Sequence, residues 1–328
     1  MNGGLAALVA GAAALSAVVT ALLLANRAHL PQAAVTARSL HAAPIPRVGG
    51  LAIVAGTLPV AAVAGLPLLL TWWGFVLPCL ALVLVSLADD IKAVAVLPRL
   101  VVHACAALAF ACSLVVTAGV AWPLAALAAL VVAWALNLYN FMDGSDGLAG
   151  AMTVVGFTAY GTVLLHAGLP AALPFAIAAA CAPVLVVNRP PARLFLGDVG
   201  AVPLGFAAAA LGVAGIVEGA WEWWLPPLVF LPFLADATLT LARRAAAGER
   251  LWEAHKSHYY QRLLQMGAGH AGTLAVFGAL MAGTASSAVA CALVAPSAGP
   301  YALAAWCAIQ GLVFGAIDYH WRRTPRSF

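Results

Sequence analysis

Residues 100–150 read LVVHACAALAFACSLVVTAGVAWPLAALAALVVAWALNLYNFMDGSDGLAG, and this stretch indicates the fold class of the chain. Residues 100–142 contain no Asp, Glu, Lys or Arg and form two apolar runs that meet near Gly119. Each run has roughly the 20 apolar residues that a helix needs to cross the hydrocarbon core of a bilayer. A polar cluster, NFMDGSDG, follows the second run directly. The stretch therefore predicts two membrane-spanning helices and a polar connection.

The composition extends this interpretation to all 328 residues. Hydrophobic residues make up 65% of the chain and charged residues 8%, with a mean hydropathy of +1.03, whereas soluble domains average about 25% charged residues. So few charges cannot cover a hydrated surface, which excludes the soluble classes. The net charge of +4 is too small to indicate nucleic acid as a partner. The six cysteines lie in apolar runs without a CxxC pair, so neither disulfides nor a zinc site are predicted.

Eleven runs along the chain are long and apolar enough to be membrane helices. They cover about residues 4–25, 49–70, 71–88, 100–119, 121–138, 148–167, 171–187, 199–217, 222–241, 271–294 and 298–317. No basic residue precedes the first run, so it lacks the basic segment of a cleavable signal peptide and is expected to stay as a helix. The predicted fold is all-α, a polytopic membrane bundle of about 11 transmembrane helices that forms one domain over residues 1–328.

The basic residues give this bundle an orientation. All 15 Lys and Arg fall on alternate connections, at positions 27, 38, 47, 92, 99, 189, 193, 243, 244, 250, 256, 262, 322, 323 and 326. By the positive-inside rule these connections and the C-terminus are cytoplasmic, and the N-terminus lies outside. Because polar groups near the membrane are costly and tend to be functional, the active-site loops are expected at about 26–48, 89–99, 139–147, 188–198 and 242–270.

Five of the 11 acidic residues gather on this cytoplasmic side: Asp89 and Asp90, Asp143 and Asp146, and Asp198. A DD pair alone is often a solvated helix end, and DGxDG alone an ordinary turn. Three acidic clusters on one face, however, repel each other and require a cation. Oxygen ligands without clustered Cys favour Mg²⁺, with Mn²⁺ as an alternative. Because Mg²⁺ takes only one or two protein carboxylates and completes its shell with water and phosphate oxygens, a phosphate-bearing substrate is expected.

The longest cytoplasmic connection reads RRAAAGERLWEAHKSHYYQRL at residues 243–263. Its Arg243, Arg244, Lys256, His255 and His258 offer donors to a diphosphate, and the two histidines would share a face if the segment were helical. The two arginines have an alternative role as charges that stop the preceding helix. One further histidine of this connection, at position 270, lies outside the motif and is expected to tolerate alanine.

Six motifs, taken in order, resemble those of the polyprenyl-phosphate N-acetylhexosamine-1-phosphate transferase family. They are HAAPIPRVGG (41–50), SLADDIK (86–92), NLYNFMDGSDGLAG (137–150), NRPPARLFLGDVG (188–200), PFLADATLTLARR (232–244) and AHKSHYYQRL (254–263). The NLYNFMDG and HKSH forms resemble most the branch that initiates O-antigen synthesis. The resemblance implies a multi-pass enzyme of the bacterial inner membrane with a cytoplasmic active site, a UDP-N-acetylhexosamine donor, a polyprenyl phosphate acceptor and Mg²⁺.

The resemblance and the charge pattern together give the candidate site residues. The catalytic residues are Asp89, Asp90, Asp143, His255 and His258, the substrate-binding residues are Arg47, Asn140, Asp146, Asn188, Phe195, Arg243, Arg244 and Lys256, and the metal ligands are Asp198 and Asp90. Asn188 and Phe195 match residues that line a uridine pocket. Two positions depart from the family pattern. Lys92 is not where the peptidoglycan branch has its lysine after the acidic pair, which argues against a UDP-muramoyl-pentapeptide donor, and Ala201 stands where a Ser usually follows GDxG.

The expected reaction transfers a sugar-1-phosphate from the UDP-sugar to the lipid phosphate and releases UMP. A one-step attack and a two-step route through an aspartyl-phosphate are both left open, as are the donor sugar, UDP-GlcNAc or a 6-deoxy relative such as UDP-FucNAc, and a homodimer. The alternative from another class is a lipid or sugar transporter, which predicts polar residues near the bilayer midplane rather than at one face. Prenyltransferases and alcohol phosphatidyltransferases also pair Asp motifs with Mg²⁺, but their characteristic DGxxAR and NDxxD runs are absent.

Overall fold

The computed structural model describes residues 3–33, 45–250 and 255–323, and within these ranges the chain is almost entirely helical. The helices are α1 (Gly3–Ala25), α2 (Gly50–Ala64), α3 (Leu77–Ile91), α4 (Val96–Ala118), α5 (Trp122–Phe141), α6 (Leu148–His166), α7 (Ala172–Asn188), α8 (Asp198–Glu218), α9 (Leu225–Val229), α10 (Leu231–Ala246), α11 (Tyr259–Leu263), α12 (Gly269–Val294) and α13 (Gly299–Arg323). Single π-helical turns precede α3 at Trp72–Val76 and α12 at Leu264–Ala268. The arginine at 38 and the first part of the HAAPIPRVGG motif lie outside the described residues.

The chain is a multi-pass membrane protein. In the described ranges, eight helical segments have the length and apolarity to cross a membrane, and α2 and α7 are apolar but shorter. Each of the eleven predicted runs contains a helix. The number of eleven crossings and the placement of the N-terminus outside stay predictions.

Several helices continue beyond the apolar runs and carry the polar residues on their last or first turns. The predicted loop 89–99 is mostly helical, because α3 continues to Ile91 and α4 begins at Val96. In the same way α5 includes Asn140, and α8 begins at Asp198. An apolar run ends at the first charged side chain, whereas the backbone hydrogen bonds of a helix can continue past that residue. The site residues are therefore mounted on rigid helix ends.

Helix α8 forms the centre of the bundle and packs against α2, α3 and α5. It is 89% buried over its most apolar stretch, against 17% for the peripheral α1 and α13. Its sequence, DVGAVPLGFAAAALGVAGIVE, is rich in Gly and Ala, which allow helix backbones to approach closely in a membrane. The larger Phe206 fills the remaining space, with its ring stacked 5.6 Å from that of Phe75.

The predicted run at 222–241 is two helices rather than one. Its residues form α9 and α10, which are interrupted at Phe230. The prolines of this region, Pro226, Pro227 and Pro232, lack the N–H that an uninterrupted helix would use, which explains the break.

A small β-structure supplements the all-α prediction. Gln32–Ala33 (β1) pairs antiparallel with Ile45–Pro46 (β2). The chain after β2 then binds the loop before α8, because Phe195 N–H donates to Pro46 O (2.8 Å) and Gly50 N–H donates to Leu196 O (2.9 Å). These bonds fix Arg47 beside the first turn of α8.

Candidate active site

The site lies at the end of the bundle where α3, α5 and α7 end and α4, α6 and α8 begin. Asp90, whose side chain is completely buried, and Asp198 both face Arg47 there. Arg47 Nε lies 3.0 Å from Asp90 Oδ1, and Arg47 Nη2 lies 3.5 Å from Asp198 Oδ1. The backbone N–H of Val199 donates to Asp90 Oδ2 (3.1 Å). The structure thus brings together the predicted Arg47, Asp90 and Asp198.

Arg99 is a site residue that the sequence interpretation missed. It lies on the first turn of α4, forms an ion pair with Asp89, and places Nη1 3.9 Å from Asp198 Oδ2. Asp89 also accepts the backbone N–H of Val94 (2.8 Å). The usable signal was helical geometry, since a cation ten residues after Asp89, on the next helix, can return to the same end of the bundle.

Asp143 completes the carboxylate group from the turn between α5 and α6. Burial first, and then the negative charges of Asp198 and Asp90, raise the pKa of Asp143 well above its ordinary value. Arg47 and the backbone N–H of Gly197 act in the opposite direction. The side chain of the predicted Asn140 lies near the Asp198 carboxylate. Asp90, Asp143 and Asp198 therefore interact as one group.

Arg47 and Arg99 lie among the clustered carboxylates, where mutual repulsion of the acidic residues led us to expect a metal ion. Across the described residues, no three His, Cys, Asp or Glu side chains form a ready-made metal cage. Mg²⁺ does not need one, because it takes one or two protein carboxylates and completes its shell with water and phosphate oxygens. Asp90 Oδ1 is buried and accepts no hydrogen bond despite the nearby Arg47. An oxygen-only donor set with a free lone pair fits a hard cation.

Gly197 makes this arrangement sterically possible. Its φ of 74° and ψ of 168° lie in a region that only glycine adopts readily. A Cβ at this position would lie 2.0 Å from Arg47 O and 2.8 Å from Asp90 Oδ2. The absence of a side chain thus lets the α8 N-terminus approach both groups.

A second polar group joins the α5–α6 turn to the α7–α8 loop. Asp146, only 2% exposed, accepts the backbone N–H of Ala192 (3.0 Å). Asn188 accepts from Gly147 N–H (3.0 Å) and donates to Leu194 O (2.9 Å). The amide of Asn188 is therefore engaged with backbone on both sides and braces the loop that carries Phe195.

His270, which lies outside the histidine motif, is on the first turn of α12 and contacts the α5–α6 turn. Its tolerance of alanine stays a prediction. Its Nδ1 accepts the Asp146 N–H (3.2 Å), lies 3.2 Å from Ser145 Oγ and is 3.5 Å from Asp146 Oδ1. A contact between residues 124 positions apart leaves no local sequence signal.

The two motif histidines lie close together, but the segment that carries them is not helical. They therefore do not meet on one face of a helix, which was the arrangement considered from the sequence. Residues 255–257 have no helical structure and His258 is the N-cap of α11. The rings are 4.9 Å apart. Burial first, then His258 and Arg244, lower the pKa of His255 to about 4. His255 is therefore neutral near pH 7.

Asp236 on α10 holds His258 in place. It is fully buried and accepts from His258 Nδ1 (3.1 Å), Tyr259 N–H (3.0 Å) and Tyr260 N–H (3.0 Å). The hydroxyl of Tyr260 donates to Phe141 O at the end of α5 (2.9 Å). The histidine segment thus lies directly beside the turn that carries Asp143.

Of the three remaining predicted cations, Arg243 and Arg244 bind protein groups through their side chains. Arg243 forms a two-point ion pair with Asp318 at 3.1 and 2.7 Å. Arg244 is 3.2 Å from Glu249 and also donates to Arg250 O (3.0 Å). Lys256 lies in the histidine segment, where its carbonyl accepts a bond from Gln265 (2.9 Å). The structure does not bring these three cations into the Asp90–Asp198 group.

Two apolar spaces open beside the site. A groove of about 430 Å³ lies between α5, α8, α9 and α10, and Leu138 and Tyr139 form its end nearest to Asn140. A smaller cavity of about 80 Å³ lies between α2, α3, α7 and α8 and ends at Gly50 and Gly200.

Comparison with known proteins agrees with this geometry. Residues 72–216 match the model described as Glycosyl transferase family 4. This range includes Asp90, Asp143 and Asp198. The decaprenyl-phosphate N-acetylglucosaminephosphotransferase of Mycobacterium tuberculosis (strain ATCC 25618 / H37Rv) is 31% identical over 283 residues, which cover 71% of this chain and 69% of that protein. The chain belongs to glycosyl transferase family 4.

Other similar proteins have names that give a different lipid or a different sugar. The probable undecaprenyl-phosphate N-acetylglucosaminyl 1-phosphate transferase of Bacillus subtilis (strain 168) is 28% identical over 148 residues, covering 43% of this chain and 41% of that protein. The phospho-N-acetylmuramoyl-pentapeptide-transferase of Chloroflexus aurantiacus (strain ATCC 29366 / DSM 635 / J-10-fl) is 30% identical over 151 residues, covering 42% and 40%. The predicted family is confirmed, and these relatives are phosphotransferases.

Proposed function

We propose that this family member transfers a sugar-1-phosphate from a UDP-N-acetylhexosamine to a polyprenyl phosphate, with release of UMP. The observation that carries the proposal is the convergence of Asp90, Asp143 and Asp198 with Arg47 and Arg99 at one end of a membrane bundle. Mixed acidic and basic groups of this kind suit two anionic reactants and a divalent cation. A carboxylate group without arginines would repel both phosphates.

The apolar groove supports a lipid acceptor. Its lining is almost wholly hydrocarbon, and it runs between α5 and α8, the two helices that present Asn140 and Asp198. A polyprenyl chain in this groove would bury apolar surface while its phosphate reached the arginines. We infer that the groove holds the acceptor chain and that Arg47 and Arg99 orient its phosphate.

The reaction is then mainly an electrostatic task. A phosphate monoester has its second pKa near 6, so the acceptor is already mostly a dianion at neutral pH and needs no general base. Asp89 and Asp90 serve to place Arg99 and Arg47. Mg²⁺, when bound at Asp198 and Asp90, would supply positive charge to the donor diphosphate.

We infer different roles for the two histidines from their different hydrogen bonds. Ser257 N–H points at His255 Nδ1 (3.4 Å), so the neutral ring carries its proton on Nε2 and is a donor. His258 donates from Nδ1 to the Asp236 carboxylate, so its Nε2 accepts in the neutral ring and donates only as the imidazolium. We assign His255 to donate a hydrogen bond to the UMP phosphate as it leaves.

For the donor we propose UDP-GlcNAc or a 6-deoxy relative such as UDP-FucNAc or UDP-QuiNAc, and undecaprenyl phosphate as the acceptor in O-antigen or related envelope synthesis. The form of the NLYNFMDG and HKSH motifs and the departure at Lys92 support this branch. We place the enzyme in the bacterial inner membrane with its site facing the cytoplasm, which the one-sided distribution of Lys and Arg supports.

The test is to incubate purified protein with undecaprenyl phosphate, Mg²⁺ and a panel of UDP-sugars, and to score UMP release. At least one UDP-N-acetylhexosamine should yield UMP in wild-type protein and not in Asp198→Asn. The matched control is Glu222→Gln, the same change of carboxylate to amide at an exposed residue between α8 and α9. If no UDP-N-acetylhexosamine yields UMP, the proposal fails, and transport becomes the better hypothesis.

A further inference from the structure

Asp318 is a carboxylate that the proposed reaction leaves unexplained. It lies on the last turns of α13, far in sequence from every motif, and its side chain is 18% exposed. It nevertheless accepts both Nη atoms of Arg243, at 3.1 and 2.7 Å, and forms an ion pair with Arg262. The hydroxyl of Tyr259 lies 3.3 Å from the same carboxylate. Four donor atoms thus converge on one side chain at the end of the chain's last helix.

Arg262 connects this carboxylate to the histidine segment. While its Nη1 faces Asp318, its Nε donates to Ser257 O (2.9 Å). Ser257 in turn contacts His255, with Oγ 2.8 Å from Nδ1. A continuous set of polar contacts therefore runs from Asp318 through Arg262 and Ser257 to the imidazole of His255.

Tyr259 fixes the other side of the same segment. Its ring stacks on Phe314 of α13, with centroids 4.0 Å apart and planes 7° from parallel. The guanidinium groups of Arg243 and Arg262 lie 5.4 and 5.1 Å from the ring centre. Its backbone N–H donates to Asp236, which also holds His258. One helical turn of α13 therefore supports residues on both sides of His258.

We propose that Asp318 is a positioning residue for the histidine segment, which it holds through Arg262 and Arg243 so that His255 and His258 face the donor diphosphate. The inference rests on the proposed function, because it assigns the histidines to the leaving UMP. Without the negative charge, two guanidinium groups would face each other across Tyr259 with no counter-ion between them. Their repulsion would release Arg262 from Ser257.

The expected effect is on turnover rather than on substrate binding. Asp318→Asn keeps the side-chain shape but replaces charge-assisted bonds by weaker neutral ones. Since a shift of about 1 Å in a supporting group can cost about 100-fold in rate, we expect kcat to fall about 10- to 100-fold. The KM for undecaprenyl phosphate should stay within about twofold, because charge on UMP develops mainly in the transition state. Asp318→Glu, which keeps the charge, should recover part of the loss.

A double-mutant cycle separates positioning from a general loss of stability. If Asp318 acts through the histidines, adding Asp318→Asn to the His255→Ala/His258→Ala protein should lower kcat by less than about twofold. If the two losses multiply, or if Asp318→Asn alone has wild-type kcat, the inference is overturned. Should Asp318→Asn not fold, Arg262→Gln removes the connection from Asp318 to Ser257 while Arg243 stays paired with Asp318, and it must show the same loss of kcat. Glu222→Gln is the matched control, and an inactive wild-type protein would instead refute the proposed function.

Discussion

Gly197→Ala is the sharpest test of how the site is built. The added Cβ would lie 2.0 Å from Arg47 O, and ordinary contact begins at 3.4 Å, so the Arg47 backbone or α8 must move by about 1.4 Å. The backbone conformation adds about 1–3 kcal/mol of strain for any residue other than glycine. The same Cβ would also lie 2.8 Å from Asp90 Oδ2. The substitution therefore separates Arg47 from Asp90 and Asp198 without removing any polar group.

The expected magnitude follows from the size of that movement. Misplacing a positioning group by about 1 Å can cost about 100-fold in rate, so kcat/KM should fall at least about 100-fold. Gly219→Ala, at the opposite end of α8, is the matched control. Its φ of 75° and ψ of 18° also carry a backbone penalty for alanine, a smaller one because this left-handed region is open to other residues, and nothing lies within 4 Å of the added Cβ.

UMP release and the midpoint of thermal unfolding in detergent measure the two effects separately. Both variants should lose stability, Gly197→Ala more because of its clash with Arg47 O, and only Gly197→Ala should lose activity. If Gly197→Ala retains activity within about threefold of wild type, the close approach of α8 to Arg47 is not needed for turnover and the reasoning is refuted. Equal losses of activity in the two variants would point to strain alone and refute it as well.

Three other substitutions test separate parts of the site. Asp198→Asn should abolish most Mg²⁺-dependent turnover while membrane insertion is unchanged, because folding rests on helix packing; near-normal activity with the same Mg²⁺ requirement would remove Asp198 from the site. Asp236→Asn should lower kcat about 10-fold or more, since an amide hydrogen would face Tyr260 N–H where Oδ2 now accepts it. The hydroxyl of Thr240 also donates to Asp236 (3.1 Å), and Thr240→Val, which removes this one donor, should have wild-type kcat. The pKa of His255 is about 4 in the folded protein, against 6.5 ordinarily. As the pH falls, the unfolded chain therefore binds the proton before the folded protein does. The free energy of unfolding should then decrease between pH 6.5 and pH 4. His255→Gln should show a smaller drop in melting temperature from pH 7 to pH 5, and an equal drop would contradict this assignment.

The positions of the helices could be predicted from the sequence because lipid imposes a local rule on each segment. About 20 apolar residues predict a helix wherever they occur, and each of the eleven runs contains one. The interruption at Phe230 was not predicted, although the prolines around it were visible. The hydropathy of a segment shows whether it is compatible with lipid. It does not show where a proline lacks the backbone N–H that a continuous helix needs. The same limit hid the helical ends that carry Asp89 and Asp198.

The site could be predicted only as far as its motifs extend. Asp90, Asp143 and Asp198 lie in short polar stretches that stand out in an apolar chain, and the structure brings them together. Arg99 and His270 stand outside any motif, and their roles come from contacts across the bundle. Such contacts depend on helix rotation and depth, which neither hydropathy nor residue spacing determines.

Aspartates and glutamates also differ in where they lie relative to the site. All seven aspartates of the chain bind an arginine, a histidine or a backbone N–H in the site or its supports: Asp89, Asp90, Asp143, Asp146, Asp198, Asp236 and Asp318. The three glutamates that the structure describes lie elsewhere, at Glu218, Glu222 and Glu249, and are exposed. Fixing a buried Glu costs about 1.5–2 kcal/mol of rotamer freedom, and the shorter Asp has one rotatable bond fewer. In a chain with so few charges, each described carboxylate that must hold one position is therefore an aspartate, on a helix or on a turn beside one, where the backbone already limits its freedom.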